Sequence, residues 1–211
     1  MRTLAGLLFL LAQAVPAGGQ AVERLLAVPV SYGSLNQNDL ALRVRNEDIE
    51  IRFVPLDPQV TRLLANDAFQ SLRSLVETRR RAIDSVASRA GVSTPGLALV
   101  SFFGLRPDTR FDPQILTLLI RNQVFRPLGV IPLSAKFNSQ QLDAREQASA
   151  IYLFEEDIPV KDSFSLSYGD LLSEDWQNKQ PILDRERARV SARARSERAD
   201  PRSERPDTTR R

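Results

Sequence analysis

The side chains of this 211-residue chain that could do chemistry are carboxylates, serines, three lysines and many arginines, because it contains no histidine and no cysteine. Those absences exclude Ser-His-Asp triads, thiol nucleophiles, Cys/His zinc sites and histidine proton shuttles. Glu155-Glu156-Asp157, with Asp108 and Asp112 in another loop, offer the hard oxygens that Ca²⁺ takes, but no EF-hand spacing orders them, and they read as ordinary loop acids. Ser134 and Lys136 stand two apart where an S-x-x-K pair needs three, although strand alternation would put both on one face. The stretch Gly91-Val92-Ser93-Thr94-Pro95-Gly96 misses a G-x-S-x-G elbow by one residue, and no histidine is present to activate its serine. A glycosidase needs only two carboxylates about 5–10 Å apart, which residue counting leaves open. The single tryptophan, Trp176, lies beside Glu174 and Asp175 and reads as a pin for the C-terminal segment rather than as a sugar platform. No catalytic, cofactor-binding or metal-ligating residue is therefore expected, and no cofactor.

The strongest positional signal is at the N-terminus. Arg2 supplies a positive start, Leu4 to Ala12 form an apolar run, and Gly19-Gln20-Ala21 places small residues at −3 and −1 of a processing site. The run is too short to span a bilayer. It predicts a signal peptide over 1–21, a mature chain from Val22, and export to the periplasm or beyond. Without cysteine there is no lipobox and no disulfide, so an exported fold must be stable from its core alone.

The elements that would position any site follow from periodicity. Val22 to Asn38 reads as a first strand and a polar loop, SLNQND. Leu40, Leu42 and Val44 alternate with polar residues, Asn46-Glu47-Asp48 makes a turn, and Ile49, Ile51 and Phe53 alternate back, which predicts a hairpin. Asp57-Pro58 then opens a helix as N-cap and first residue. Its stripe runs through Val60, Leu64, Ala68, Leu72, Val76, Ile83 and Val86, with a possible restart at Asn66-Asp67, and Gly91 ends it. LALVSFF and ILTLLIR are apolar on both faces and predict central strands. QVFRPLGVIPLS is interrupted by prolines, as suits an edge, and SAIYLFEED and DSFSLSYGD supply two more strands.

LALRVRN at 40–46 echoes LTLLIRN at 116–122, and VPLD at 54–57 echoes IPLS at 131–134; the pattern could record a duplication of 40–57 as 116–134, although strand–turn–strand units with an Asn turn also converge. Residues 116–168 run LTLLIRN…RPLGVIP, then Leu142-Asp143-Ala144-Arg145-Glu146, a strand ending in Phe154, and SFSLSY. This order resembles the later strands of bacterial exported immunoglobulin-like sandwiches. The resemblance implies an immunoglobulin-like antiparallel β-sandwich, mainly β with one long helix (α+β), the helix at about 58–90 being an insertion; it carries no activity with it.

Arg79-Arg80-Arg81 stands among Arg73, Glu77 and Asp84 at four-residue spacings, which predicts a solvated face rather than a polyanion contact. From Arg185 to Arg211 ten arginines face five acids, so the basic balance belongs to the tail, and the body, at about −3, has no basic footprint for nucleic acid. One domain is expected over 22–184, with 185–211 a disordered Arg-rich tail able to touch anionic envelope polymers or lipid weakly. The functional expectation is an exported non-catalytic protein that binds another envelope protein. The alternatives are a carboxylate-based hydrolase or carbohydrate-binding module, and a structural subunit that self-associates through the helix 58–90.

Overall fold

The structure, a computed structural model, describes residues 28–199; the signal segment, the processing site before Val22 and the chain beyond Ala199 lie outside the described residues. It is an α+β fold built on two antiparallel sheets. The larger contains β1 (Leu42–Arg45), β2 (Ile49–Pro55), β3 (Gly96–Gly104), β9 (Gln147–Phe154) and β7 (Gly129–Pro132), side by side in that order. The smaller contains β11 (Leu171–Ser173), β10 (Ser165–Tyr168), β5 (Leu116–Ile120) and β6 (Gln123–Phe125). The short strands β4 (Thr109–Arg110) and β8 (Gln141–Leu142) pair separately, and one helical turn, α4 (Lys136–Ser139), precedes β8.

Alternation puts Leu42, Val44, Ile51, Phe53, Val100, Phe102, Ala150 and Tyr152 on one face of the large sheet, all at most 3 % exposed. They meet Leu116, Leu118, Leu166 and Tyr168 of the small sheet. Ring contacts join the two layers: Phe102 to Tyr168 at 5.9 Å between centroids, and Phe53 to Phe164 at 6.2 Å. Two tyrosines then fix the connection into β5. Tyr152 donates its hydroxyl to the carbonyl of Pro113 (3.1 Å), and the Tyr168 hydroxyl accepts from the Asp112 N–H (2.9 Å). Burial pushes both phenols above their ordinary pKa, so they remain neutral hydrogen-bonding groups.

The hairpin and the central strands lie where periodicity put them, but QVFRPLGVIPLS is not one strand: it divides into β6 and β7, each at the edge of a different sheet. Other expectations need correction. Leu40 is not in the first strand: Asn36 caps a helical turn, α1 (Gln37–Leu40), and Asp39 returns the bond to the Asn36 N–H in a capping box. Among residues 28–36 there is no strand, only a single bridge from Leu35 to Leu64. The echoed segments are not equivalent either. Asn46 builds its turn by accepting from Asp48 and Ile49 N–H groups, whereas Arg121 and Asn122 both take positive φ in a two-residue turn. VPL ends β2, the strand that pairs with β1, whereas IPLS ends β7, in the other sheet from β5.

Between the neighbouring strands β2 and β3 the chain makes the expected helical excursion, in two pieces. Asp57 caps α2 (Pro58–Thr61), and α3 (Asn66–Ala90) restarts at Asn66 and closes on Gly91, whose φ of 72° is the left-handed conformation glycine tolerates. Phe69, Leu72, Ile83 and Ala87 are buried. A Cβ on Gly129 would collide with Val86, so β7 and α3 approach where only glycine fits.

The largest correction concerns the tail. Ordered structure does not stop at Asp184: α5 runs from Trp176 to Ala199, giving the fold a second long helix. Trp176, Leu183 and Val190, seven apart, are fully buried, and Glu186 and Ala194 lie on the same side. Trp176 does pin the segment, with its ring 4.9 Å from Phe164 and its N–H donating to the Val160 carbonyl. Further along, α5 runs antiparallel to the N-terminal segment. Lys179 donates to the Asp39 carbonyl, the Glu186 carboxylate accepts from the Ser34 N–H (2.9 Å) and hydroxyl (2.7 Å), and Arg193 donates to the Tyr32 carbonyl. Apolar content was too sparse to reveal this face, because the carboxylate of Glu186 and the small side chain of Ala194 stand where leucines are usual.

A chain ending at Asp184 loses Glu186, Val190 and Ala194 together and leaves the Ser34 groups without their acceptor. Its thermal midpoint should fall by several degrees or more, measured by circular dichroism. An unchanged midpoint would show that the second half of α5 carries no stability.

Candidate functional site

The outer face of the large sheet is divided by sequence. Cross-strand neighbours share a face, and two rows there are apolar: Val54–Leu99–Ile151–Ile131, and Leu97–Leu153–Gly129. The next two rows are polar: Arg43–Arg52–Ser101–Ser149, and Arg45–Glu50–Phe103–Gln147. Helix α3 crosses the apolar part, with Val86 against Gly129, and Leu75 borders the same groove as Val54 and Leu99. The polar part stays open as a groove of about 490 Å³, bounded by Leu75 and Leu133 on the apolar side and by Gln37, Asn38 and Ala41 near α1.

The groove floor is a connected polar network. The Ser101 and Ser149 hydroxyls are 2.8 Å apart, and the Gln147 amide donates to both, at 3.2 and 2.8 Å. Beside them the Arg52 Nε donates to Glu50 at 2.6 Å, and its guanidinium carbon stands 4.4 Å from the centre of the Phe103 ring. A shallower depression of about 300 Å³ continues past Asn38 and Ala41 to Arg43, Asp175, Asn178 and Lys179. Burial lowers the Lys179 pKa, while its ammonium donates to the Asn38 and Asp39 carbonyls. The arrangement offers hydroxyl, amide and guanidinium donors between an apolar wall and a mainly polar one, which suits binding and orientation.

The residues singled out by type fall elsewhere. Glu156 abuts Gly96 at one end of β3, and Asp143, which accepts from the Asp108 N–H, abuts Gly104 at the other. Nine strand residues, about 26 Å, separate those ends, so the loop acids are not drawn into one cage. Asp108 accepts from Gln141, and Asp112 from the Gln114 N–H. Among the described residues no three acids converge as a metal site would need. Ser134 accepts from the Ser149 N–H (3.4 Å), while Lys136 pairs with Glu146 at 2.8 Å. Glu146 raises the Lys136 pKa, opposite to what a lysine base requires. Ser93 lies exposed in the link from α3 to β3. Around the arginine run, Arg73–Glu77 and Arg80–Asp84 form the expected helix-surface pairs. None of the groove residues was singled out from sequence. Their signal was present, since Arg43, Arg45, Glu50 and Arg52 alternate on one face, but it reads as an ordinary solvated side until the register joins it to Ser101 and Ser149.

No family model, curated protein or solved structure matches the chain. The functional argument therefore rests on this geometry.

One loop acid is perturbed. Burial raises the Asp57 carboxyl above its ordinary pKa of 3.8, with Asp157 adding to the rise and the Gln59 N–H, Lys161 and Arg62 opposing it. A carboxyl whose folded pKa is raised contributes stability below the ordinary value and loses it as pH climbs through the raised one. Asn caps a helix as well as Asp. The variant Asp57→Asn should therefore match the native protein near pH 3 and gain on it toward pH 7, seen as thermal midpoints across that range. A difference that stays constant with pH would refute the assignment.

Proposed function

We propose that this is an exported envelope protein that binds another protein, and that the groove beside α3 is where the partner docks. The observation that carries the reading is the division of the outer sheet face. The helix covers the half whose burial stabilises the fold and leaves open the half whose donors are already in place. The apolar stripe of α3 is spent within the chain, with Leu72 only 3 % exposed, so self-association through that stripe has lost its surface. Export rests on Arg2, the apolar run Leu4–Ala12 and the small residues before Val22. No described helix is long and apolar enough to cross a membrane.

The immunoglobulin-like sandwich remains part of this proposal. Support comes from the repeated passage between sheets, with β3, β7 and β9 in one and β5, β6, β10 and β11 in the other. The tyrosine hydroxyls that hold the connecting loop add to it.

Two measurements test the reading. N-terminal sequencing of the envelope fraction should show Val22 as the first residue; an intact Met1, or material confined to the cytoplasm, would end the export claim. A photo-reactive phenylalanine analogue at Gln147 should trap a discrete partner in native envelopes, whereas the same group at Ser167, on the outer face of the small sheet, should not. Identical products from both positions would remove the groove from consideration.

A further inference from the structure

We propose that the groove selects an extended protein segment bearing a carboxylate, and that Arg52 is its anchor. The inference rests on the docking reading above and names the chemistry of the partner. Arg52 is held on two sides, by Glu50 through Nε and by the Phe103 ring beneath the guanidinium. Glu50 is itself nearly covered, with its side chain 11 % exposed, so the pair is a fixed feature rather than a mobile surface contact. These contacts set the guanidinium plane and leave its two Nη atoms without a hydrogen-bond partner among the described residues. An arginine edge fixed in this way matches the two oxygens of a carboxylate.

The surrounding charge has the same sign. Arg43 is the cross-strand partner of Arg52, and Arg45 that of Glu50, so three arginines face one acid at this end of the sheet. The excess attracts an anion, while the buried Glu50 disfavours a densely charged one such as a sulfated or phosphorylated polymer. Shape favours a polypeptide. The groove crosses β2, β3 and β9 and ends at Leu133, a path of about 15 Å that four or five extended residues would fill. The Ser101–Ser149 pair and the Gln147 amide can bond a backbone there, and Leu75 and Leu99 can receive an apolar side chain.

The test is selection from a random octapeptide display library on the full chain, on Arg52→Gln and on the groove-blocked Ser101→Trp. Selected sequences should carry Asp or Glu at one fixed position. Changing that residue to its amide should weaken binding to the native protein tenfold or more and to Arg52→Gln less than twofold. Arg52→Lys, which keeps a charge against Glu50, covers the case in which Arg52→Gln misfolds; it should cut the acid-over-amide preference at least threefold, because an ammonium cannot make two parallel bonds. Sequences without a fixed acid, yet lost on Ser101→Trp, would overturn the carboxylate anchor and leave the groove reading standing. Selection indifferent to Ser101→Trp, or none at all, would overturn both. Stronger binding of dextran sulfate than of any selected peptide, abolished by Arg52→Gln, would replace the protein segment with a polyanion and also overturn the proposal.

Discussion

A sheet that is apolar on one whole face and on half of the other has to be covered twice, and the rest of this molecule follows from that constraint. The small sheet covers the full face. The half face containing Val54, Leu99, Ile151 and Leu153 needs a cover of its own, and α3 supplies it from between two adjacent strands. Because the covering helix leaves β2 and returns to β3, its position is tied to the most central pairing of the sheet. Gly129 sets how closely it approaches at the far edge. The open groove is what remains once the apolar rows are satisfied.

The second consequence is how the ends of the described chain are held without disulfides. Residues 28–36 are clamped between α5 and the α2–α3 junction. On one side Ala65 donates to the Leu35 carbonyl and Leu35 to that of Leu63. On the other, Glu186 accepts twice from Ser34, with Arg189 and Arg193 within 4 Å of its carboxylate. A buried carboxylate is costly to leave unpaired, and hydrogen bonds to a charged group are worth more than neutral ones. Joining chain segments about 150 residues apart through such a group restricts the ends in the way a cross-link would, though reversibly.

What the sequence disclosed, and what it hid, divides along physical lines. Elements defined by a long apolar period were legible: the β1–β2 hairpin, the helical stripe that Asp57 opens by capping α2 and Gly91 closes at the end of α3, and the central strands β3 and β5. Elements stabilised by polar contacts were not. The α1 turn depends on a reciprocal bond between Asn36 and Asp39 inside what reads as a polar loop. The second half of α5 has one apolar anchor, Val190, in a run of arginine, glutamate, serine and alanine, so composition alone assigns it to disorder. Burial there comes from contacts with a segment that no local pattern can foresee. The groove was hidden for a related reason: each of its residues is unremarkable in its own strand, and only the register across four strands gathers them.

That register also bears on why a polar cluster is kept at this place. Ser101, Ser149 and Gln147 lie in the part of the sheet face that α3 leaves open, so their hydroxyls and amide add no apolar burial to the fold. The Arg52–Glu50 pair is partly exposed and contributes little to folding by itself. Stacking a guanidinium on Phe103 while fixing its Nε on Glu50 orders a long side chain at an entropic cost. The proposed docking role accounts for that cost, since a donor already oriented loses less freedom when its acceptor arrives. The position and charge of those donors are the grounds on which the groove, rather than the loop acids, is proposed as the docking site.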